Sequence, residues 1–283
     1  MTWQYIDTHA HVNLSAFAAD REDVLARTRK AGVAHINIGT KERTSRLAVE
    51  IADAHDDVWA IIGLHPIQTT PGAHDDEEVG VGSAFVSQGE VFDSEYYRTL
   101  ARSSTKVVGI GECGFDYYHC DASTYEAQEA AFIAQVRLAN ELQLPLMIHT
   151  RDPKPGSASP TGRSAYEDVL AILRQYAVVT GNVHFYAGTY EQAKRFFDIG
   201  FTVSFTGVIT FAKAYEEVVC AVPLDRMHAE TDCPYVAPVP YRGQRCEPEH
   251  VMEVVKKIAA VKGLSEEAVR EQLSENAQQL YRL

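Results

Sequence analysis

Short apolar segments alternate along the chain with longer segments in which apolar positions recur every three or four residues. The short segments are typical of buried strands and the longer ones of amphipathic helices. Strands are predicted at residues 3–7, 33–38, 58–64, 106–111, 144–148, 178–183, 201–205 and 226–230. Helices are predicted at residues 20–30, 41–55, 124–142, 165–176, 190–197, 211–222, 247–261 and 265–280.

Strands that alternate with helices predict a parallel sheet joined by crossover connections. A closed (β/α)8 TIM barrel is the simplest α/β architecture with eight such strands, and about 250 residues suffice for it. The chain has 283 residues, so we predict a single TIM-barrel domain over residues 1–283. An open doubly wound sheet is the alternative, although no G-x-G-x-x-G motif follows the first predicted strand.

Two segments interrupt the alternation and are rich in turn-forming residues. Residues 68–92 lie between the third and fourth predicted strands, and residues 152–163 follow the fifth. Both are predicted to be loop insertions. Loops that follow barrel strands lie at the active face, so both insertions can cover that face, and solvated surface excursions are an equal alternative.

Composition and charge exclude several classes of protein. Hydrophobic residues make up 46% and charged residues 23%, as in globular proteins, and no apolar run approaches the roughly 18 residues of a membrane span. The N-terminus lacks the basic and apolar regions of a signal peptide. Five cysteines without a C-x-x-C pair predict reduced thiols in the cytoplasm.

The chain is acidic, with 26 Lys and Arg against 39 Asp and Glu and a net charge of −13. Proteins that coat long nucleic acids are usually basic, because they neutralise phosphates. If the substrate is a polyanion, bound cations and a few local arginines must attract it.

Residues of metal-ligand type stand where predicted strands end. They are His9, His11, Glu112, His149, His184 and Asp232. Each has an ordinary explanation as a core or capping residue when it is taken singly. Together they would share the C-terminal face of a barrel, where active sites are built, so they predict one metal site.

The candidate ligands offer only nitrogen and oxygen atoms. Such donors suit Zn, Mn, Mg, Fe or Co, so the donor set does not identify the metal. Six ligands are too many for one tetrahedral ion with an open position, so two divalent cations that share a carboxylate are predicted. Glu112, which is central in the strand order, is the predicted bridge.

Six motifs follow one another along the chain. They are DTHAH at 7–11, GLHP at 63–66, GIGECGFDYY at 109–118, IHTR at 148–151, HFYAG at 184–188 and ETDCPY at 230–235. In combination they resemble the motifs of the TatD family of metal-dependent deoxyribonucleases, and ENA at 275–277 resembles that family's last helix. The resemblance runs from about residue 6 to the C-terminus and implies an amidohydrolase-type TIM barrel.

The resemblance also implies a role for individual residues. The implied ligands of one ion are His9, His11, Glu112 and Asp232. The implied ligands of the second ion are Glu112, His149 and His184. His65 is implied to contact the substrate phosphate.

A two-metal site can clamp a phosphodiester and activate water, which assigns further roles. Asp232 is predicted to orient or deprotonate that water, and His65 to donate a hydrogen bond to a phosphate oxygen. Arg151 and Arg242 are candidate phosphate ligands. The candidates for stacking on bases, at roughly 1–3 kcal/mol per contact, are Phe115, Tyr117, Tyr118 and Tyr186. The alternative role is ligation alone for Asp232 and strand capping for His65. For the two arginines it is a surface ion pair, and for the aromatic residues it is core packing.

The resemblance implies cleavage of DNA of the 3′-5′ exonuclease type. The acidity adds a predicted preference for the ends of single strands, because an acidic protein captures duplex poorly. Neither a membrane nor an obligate protein partner is inferred. The chain departs from the family pattern in both insertions and at Cys246, where an asparagine is typical. These departures leave the predicted ligands unchanged and bear on substrate preference.

Two other functions remain open at this point. The first is an amidohydrolase-type enzyme for a small ester, lactone or amide. Many such enzymes bridge their ions with a carbamylated lysine, whereas the strand at 106–111 is followed by Glu112 and has no lysine at its end. The second is a catalytically silent metal-binding protein, and the complete ligand set argues against it.

Overall fold

The computed structural model describes residues 3–74 and 85–283. The strands of this part of the chain are β1 (Tyr5–Ala10), β2 (Val33–Ile38), β3 (Val58–Ile62), β4 (Pro71–His74), β5 (Phe85–Gln88), β6 (Val107–Asp116), β7 (Leu146–Arg151), β8 (Gly181–Val183), β9 (Thr202–Phe205) and β10 (Met227–Ala229). Eight of them pair in parallel in the order β1-β2-β3-β6-β7-β8-β9-β10, and form a nearly closed barrel. The predicted TIM barrel is thereby confirmed.

The barrel closes between β1 and the segment that follows β10. Ala10 forms a parallel bridge with Cys233. The amide of Asp232 donates to the carbonyl of His9 at 2.9 Å, and the amide of His11 donates to the carbonyl of Cys233 at 2.9 Å. This junction brings residues 9–11 next to residues 232–233, although the two segments are far apart in the sequence.

The helices lie between the strands and after the last one. They are α1 (Arg21–Lys30), α2 (Glu42–Ala54), α3 (Ser94–Ser103), α4 (Tyr125–Leu142), α5 (Ala165–Tyr176), α6 (Tyr190–Phe197), α7 (Glu216–Ala221), α8 (Val251–Lys262) and α9 (Glu266–Tyr281). Among the described residues, none of these helices is long and apolar enough to cross a membrane.

The core has two parts, because successive strand residues face opposite sides of the sheet. Ile36 and Ile38 pack with Ile61 in a small cluster inside the barrel. Val33 and Val58, on the opposite face, belong to the larger cluster between sheet and helices. The strands are therefore apolar on both faces, as expected for a parallel sheet that helices cover.

The predicted extent of one helix was wrong, and another helix was missed. The segment 211–222 is helical only from Glu216, where α7 begins, and Gly207–Thr210 and Lys213–Tyr215 form 3-10 turns before it. Ala212 has an extended backbone, with φ of −99° and ψ of 99°, and so interrupts the segment before Lys213. Helix α3 was not predicted, although Asp93 caps it by accepting hydrogen bonds from two amides.

The two insertions differ in structure. Pro71 to His74 pairs antiparallel with Phe85 to Gln88, so the loop predicted at 68–92 contains a two-stranded ladder. Residues 75–84 of that loop lie outside the described residues. Residues 152–163 form neither helix nor strand, as predicted. The single-domain organisation over residues 1–283 stays a prediction.

Candidate metal centre

The candidate ligands meet at the C-terminal end of the barrel, although several lie inside strands and not after them. Strand β6 continues to Asp116, four residues beyond Glu112, and pairs with β7 along this extension. His149 likewise lies within β7, and His184 directly follows β8. The strands were predicted too short here because the polar Glu112 and His149 end the apolar pattern.

Glu112 divides the cluster between its two carboxylate oxygens. Oε2 lies 3.3 Å from Nε2 of His9 and 3.8 Å from Nε2 of His11. Oε1 lies 2.6 Å from Nε2 of His184 and 2.8 Å from Nδ1 of His149. The carboxylate itself is 3% exposed, so its neighbours are the surrounding imidazoles, and the rings of His9 and His184, one from each group, stack at 3.9 Å.

Asp232 completes the group around Oε2. Its Oδ1 lies 3.5 Å from Nε2 of His9 and 3.3 Å from Nε2 of His11. The backbone of Asp232 is left-handed, with φ of 57°, a conformation that aspartate adopts more readily than most residues. That conformation and the hydrogen bond to the carbonyl of His9 hold the carboxylate beside β1.

The hydrogen bonds of His11 determine what its ring presents to the centre. Nδ1 lies 3.0 Å from the carbonyl oxygen of Ile38, which can only accept, so Nδ1 carries a proton. In the neutral ring, Nε2 then carries no proton and offers a lone pair. This atom lies 3.0 Å from Nε2 of His9. Lone pairs and carboxylate oxygens that converge in this way need a proton or a cation between them, which fits a metal site.

Burial and the neighbouring charges shift the pKa values of the clustered side chains in opposite directions. Burial lowers the pKa of His9, and it lowers the pKa of His65 to about 4. Burial raises the pKa of Glu112, but the surrounding imidazoles, His184 foremost, outweigh it and hold that pKa well below its usual value. Glu112 is therefore an anion, and His9 and His65 are neutral rings, at neutral pH.

His65, predicted to contact substrate, also lies in the cluster. Its Nε2 lies 3.3 Å from Oε1 of Glu112 and 3.1 Å from Nδ1 of His149. Its Nδ1 accepts a hydrogen bond from the amide of Ile67 at 3.1 Å, so Nε2 carries the proton of the neutral ring. His65 thus points an N–H group at the side of the centre formed by Oε1.

The other predicted substrate residues lie on two sides of the barrel mouth. The guanidinium of Arg151 lies 4.5 Å from the ring centroid of Tyr118, beside the ends of β6 and β7. Arg242 is exposed, donates to the carbonyl of Ala237 at 2.9 Å and stacks on Phe211 at 3.9 Å.

Three of the four aromatic residues predicted to stack on bases are buried, which makes that prediction wrong for them. Phe115 is fully buried, and its ring stacks on Tyr125 of α4. The hydroxyl of Tyr117 donates to Asp168 at 2.8 Å, and that of Tyr186 donates to the carbonyl of Thr189 at 2.6 Å. Only Tyr118 of the four remains partly exposed.

Two buried carboxylates behind the cluster were not among the predicted site residues. Oδ2 of Asp116 lies 3.0 Å from Nε2 of His149. Oε1 of Glu230 lies 3.6 Å from Nδ1 of His184 and accepts the amide of Phe185 at 2.6 Å. Both belong to motifs seen in the sequence, but only the fold shows which histidine each one faces.

Comparisons with known proteins agree on one family. A family model described as TatD related DNase matches residues 6–282. A Bacillus subtilis protein, the uncharacterized metal-dependent hydrolase YabD, is 34% identical over 98% of this chain and 98% of its own length. The 3′-5′ ssDNA/RNA exonuclease TatD of Pantoea ananatis is 31% identical over 96% of this chain and 98% of its own.

Solved structures show the same fold. The crystal structure of YJJV, a TatD homologue from Escherichia coli, covers 100% of both chains with a TM-score of 0.82 at 24% sequence identity. A TatD family hydrolase from Entamoeba histolytica covers 99% of both chains with a TM-score of 0.80 at 21% identity.

Proposed function

The chain belongs to the TatD family of metal-dependent hydrolases, and from that premise we propose that it is a nuclease that removes nucleotides from single-stranded DNA in the 3′-5′ direction. The observation that carries the proposal is the division of the buried Glu112 carboxylate between two groups of imidazoles. Such a division supports two divalent cations bridged by one carboxylate.

The proposed ligands of the first cation are His9, His11, Glu112 and Asp232, and those of the second are Glu112, His149 and His184. Ligand atoms about 2.0–2.2 Å from a common ion lie roughly 3–3.5 Å from one another. Most of the donor separations around Glu112 fall near that range. The nitrogen and oxygen donors suit Zn, Mn, Mg, Fe or Co equally.

Divalent cations, when bound, polarise phosphoryl oxygens and lower the pKa of water towards neutrality. The chain itself orients the reactants. We propose that Asp232 holds the attacking water and accepts its proton through the carboxylate oxygen not engaged in ligation. We propose that the Nε2–H of His65, whose orientation Ile67 fixes, donates to a phosphate oxygen.

The net charge of −13 supports single-stranded ends as the substrate. Duplex DNA is captured mainly by basic surfaces, which an acidic protein lacks overall. A strand end can instead reach the buried centre and be held there locally, with Arg151, Tyr118 and Arg242 as proposed contacts. A relative named as a 3′-5′ ssDNA/RNA exonuclease supports this substrate class. Five cysteines, all free thiols, support a cytoplasmic location.

Digestion of 3′-labelled and 5′-labelled oligonucleotides in the presence of each candidate metal tests the proposal. We expect single strands to be shortened from the 3′ end faster than blunt duplexes. Glu112→Gln should lower kcat/KM by at least about a hundredfold. Glu126→Gln, the same change at an exposed position of α4, is the control and should leave activity unchanged.

Two results would contradict the proposal. Equal rates on single strands and duplexes would reject the substrate preference. Hydrolysis of a small ester or lactone by metal-loaded protein that cleaves no oligonucleotide would favour an amidohydrolase-type activity instead.

A further inference from the structure

An exposed aromatic ring stacks against an exposed arginine at the mouth of the barrel. Cζ of Arg242 lies 3.9 Å from the ring centroid of Phe211, and Phe211 is still 42% exposed. Phe211 lies in the loop after β9, and Arg242 lies in the loop after β10. Loops that follow barrel strands lie at the face where the metal centre is built. The stacked pair is therefore open to a ligand that occupies this face.

The backbone around both side chains is held by hydrogen bonds. A guanidinium nitrogen of Arg242 donates to the carbonyl of Ala237 at 2.9 Å. The two loops are also joined to each other, because the amide of Val239 donates to the hydroxyl of Thr210 at 2.9 Å. Thr210 directly precedes Phe211. The pair is thus in place before a ligand binds, which lowers the entropy cost of binding.

The loop after β10 connects the pair to the metal centre. It contains the proposed ligand Asp232, and the segment from there to Ala237 spans at most about 17 Å. A side chain at Gly207 would overlap the carbonyl oxygen of Val236, so the two loops pack closely along this segment. A stacked nucleic-acid strand advances about 3.4 Å per nucleotide. A base within about five nucleotides of a phosphate at Glu112 can therefore reach the pair.

The chemistry of the pair suits a nucleobase. Bases stack both on the faces of aromatic rings and on the planes of guanidinium groups. Among the large hydrophobic side chains that are exposed in the described part of the chain, Phe211 is the only aromatic one, and Val239 in the adjoining loop is 46% exposed. An apolar surface that carries a cation fits a base attached to a phosphate better than it fits a purely apolar segment.

We propose that Phe211 and Arg242 form a platform on which one unpaired base of the substrate strand stacks, within about five nucleotides of the cleaved phosphate. The platform rests on the proposed nuclease function. It assigns a binding role to Phe211 and makes Arg242 a stacking surface in place of a phosphate ligand. A base within a duplex must be unpaired and unstacked before it reaches such a platform, so the platform favours single strands.

Oligonucleotides that lack one base test the platform in the metal-loaded, full-length protein. An abasic site is moved along a single strand, one nucleotide at a time, from its 3′ end. Phe211→Ala should raise KM for the intact strand by about fivefold or more, with kcat unchanged, because a stacking side chain is lost. At one position, the abasic site should raise KM of wild type similarly, and Phe211→Ala should add no further loss there. Phe211→Trp should retain most of the affinity for the intact strand.

A second pair of an arginine and an aromatic residue provides the matched control. Cζ of Arg137 lies 5.5 Å from the ring centroid of Tyr176, which ends α5. Barrel helices run antiparallel to the strands, so this pair lies at the end opposite to the metal centre. Tyr176→Ala should therefore leave KM unchanged for every strand.

Two results would overturn the platform. If Phe211→Ala weakens every abasic strand as much as the intact strand, no base stacks on the ring. If the substitution changes only the oligomeric state in size-exclusion chromatography, the pair binds another copy of the chain and not the substrate.

Fluorescence measured without turnover separates this inference from the nuclease proposal. Strands that carry 2-aminopurine, a fluorescent base quenched by stacking, are added to the metal-free full-length protein at concentrations that saturate binding. Wild type should quench the base at one position within about five nucleotides of the 3′ end, and Phe211→Ala should not. If wild type cleaves no strand but this difference persists, the nuclease proposal fails and the platform stands. Equal fluorescence with both proteins at every position overturns the platform.

Discussion

Asp116 fixes the orientation of His149. Nε2 of His149 lies 3.0 Å from Oδ2 of Asp116, while Nδ1 lies 2.8 Å from Oε1 of Glu112. Because Nε2 donates to Asp116 in the neutral ring, Nδ1 presents a lone pair to the centre. A carboxylate behind a ligating histidine also makes that imidazole more basic. Asp116 is therefore a positioning residue for one of the proposed ligands.

Replacement of this carboxylate tests the relationship. Asp116→Asn should weaken metal affinity by about 10- to 100-fold, because an amide orients the ring less firmly and carries no charge. Activity should recover in excess metal. Metal titration of activity, together with calorimetric titration of the metal-free protein, measures both effects.

Asp168 provides the matched control. It is another buried aspartate, and it accepts hydrogen bonds from Tyr117 and Thr161, away from the proposed ligands. Asp168→Asn should reduce stability without changing the metal affinity of the folded protein. If both variants lose metal affinity equally, Asp116 has no specific effect on His149.

Asp232 is predicted both to bind a cation and to accept a proton. In Asp232→Asn, the amide oxygen can still face the cation beside His9 and His11, but it cannot take the proton. We therefore expect kcat to fall by about 10²- to 10⁴-fold while bound metal is retained. Elemental analysis of the variant, alongside its kcat, measures the two properties. Full recovery of kcat in excess metal would show that Asp232 only ligates.

The candidate ligands could be predicted from sequence because each stands where an apolar strand pattern ends. His9, His149 and His184 are all of this kind. A barrel fold brings such ends together irrespective of their distance along the chain. The division of Glu112 between two groups could not be predicted, since it depends on side-chain orientation and on the extension of β6 to Asp116.

The environment of the aromatic residues could not be predicted either. Phe115 and Tyr118 belong to one motif, yet Phe115 is buried against α4 while Tyr118 holds two cations at the surface. Which face of a strand a helix covers is decided by packing between distant segments. The contact of Lys154 with Tyr118 likewise depends on the path of an insertion that has no repeating pattern.

Removal of metal should lower the stability of the folded protein. The proposed ligands converge only in the folded barrel, so a bound cation favours the native state. At a metal concentration about 100 times the dissociation constant, binding adds about 2.7 kcal/mol. Thermal unfolding with and without a chelator measures this difference. Glu112→Gln should show a much smaller chelator effect, whereas an identical shift in both proteins would exclude Glu112 as a ligand.

His35 should make the protein sensitive to acid. It lies in β2, is 1% exposed, and neither ring nitrogen has a hydrogen-bond partner among the described residues. Burial lowers its pKa from 6.5 to about 4. Above pH 6.5 the ring is neutral in both the folded and the unfolded state, so its titration adds no pH dependence to the stability there. Between pH 6.5 and about pH 4, His35 is protonated in the unfolded chain but not in the folded protein. The free energy of unfolding therefore falls as the pH is lowered through this range.

A leucine at this position should remove that dependence. The loss attributable to His35 between pH 6.5 and pH 4 is about 3 kcal/mol, at about 1.4 kcal/mol for each unit of pKa. The free energy of unfolding of His35→Leu, measured by urea denaturation at several pH values, should therefore decline less steeply than that of wild type over this range. Asp57, whose pKa His35 helps to lower below 3.8, titrates below this pH range, so the difference between the two curves isolates His35. Parallel curves would mean that the buried ring is protonated in the folded state or that it reaches solvent.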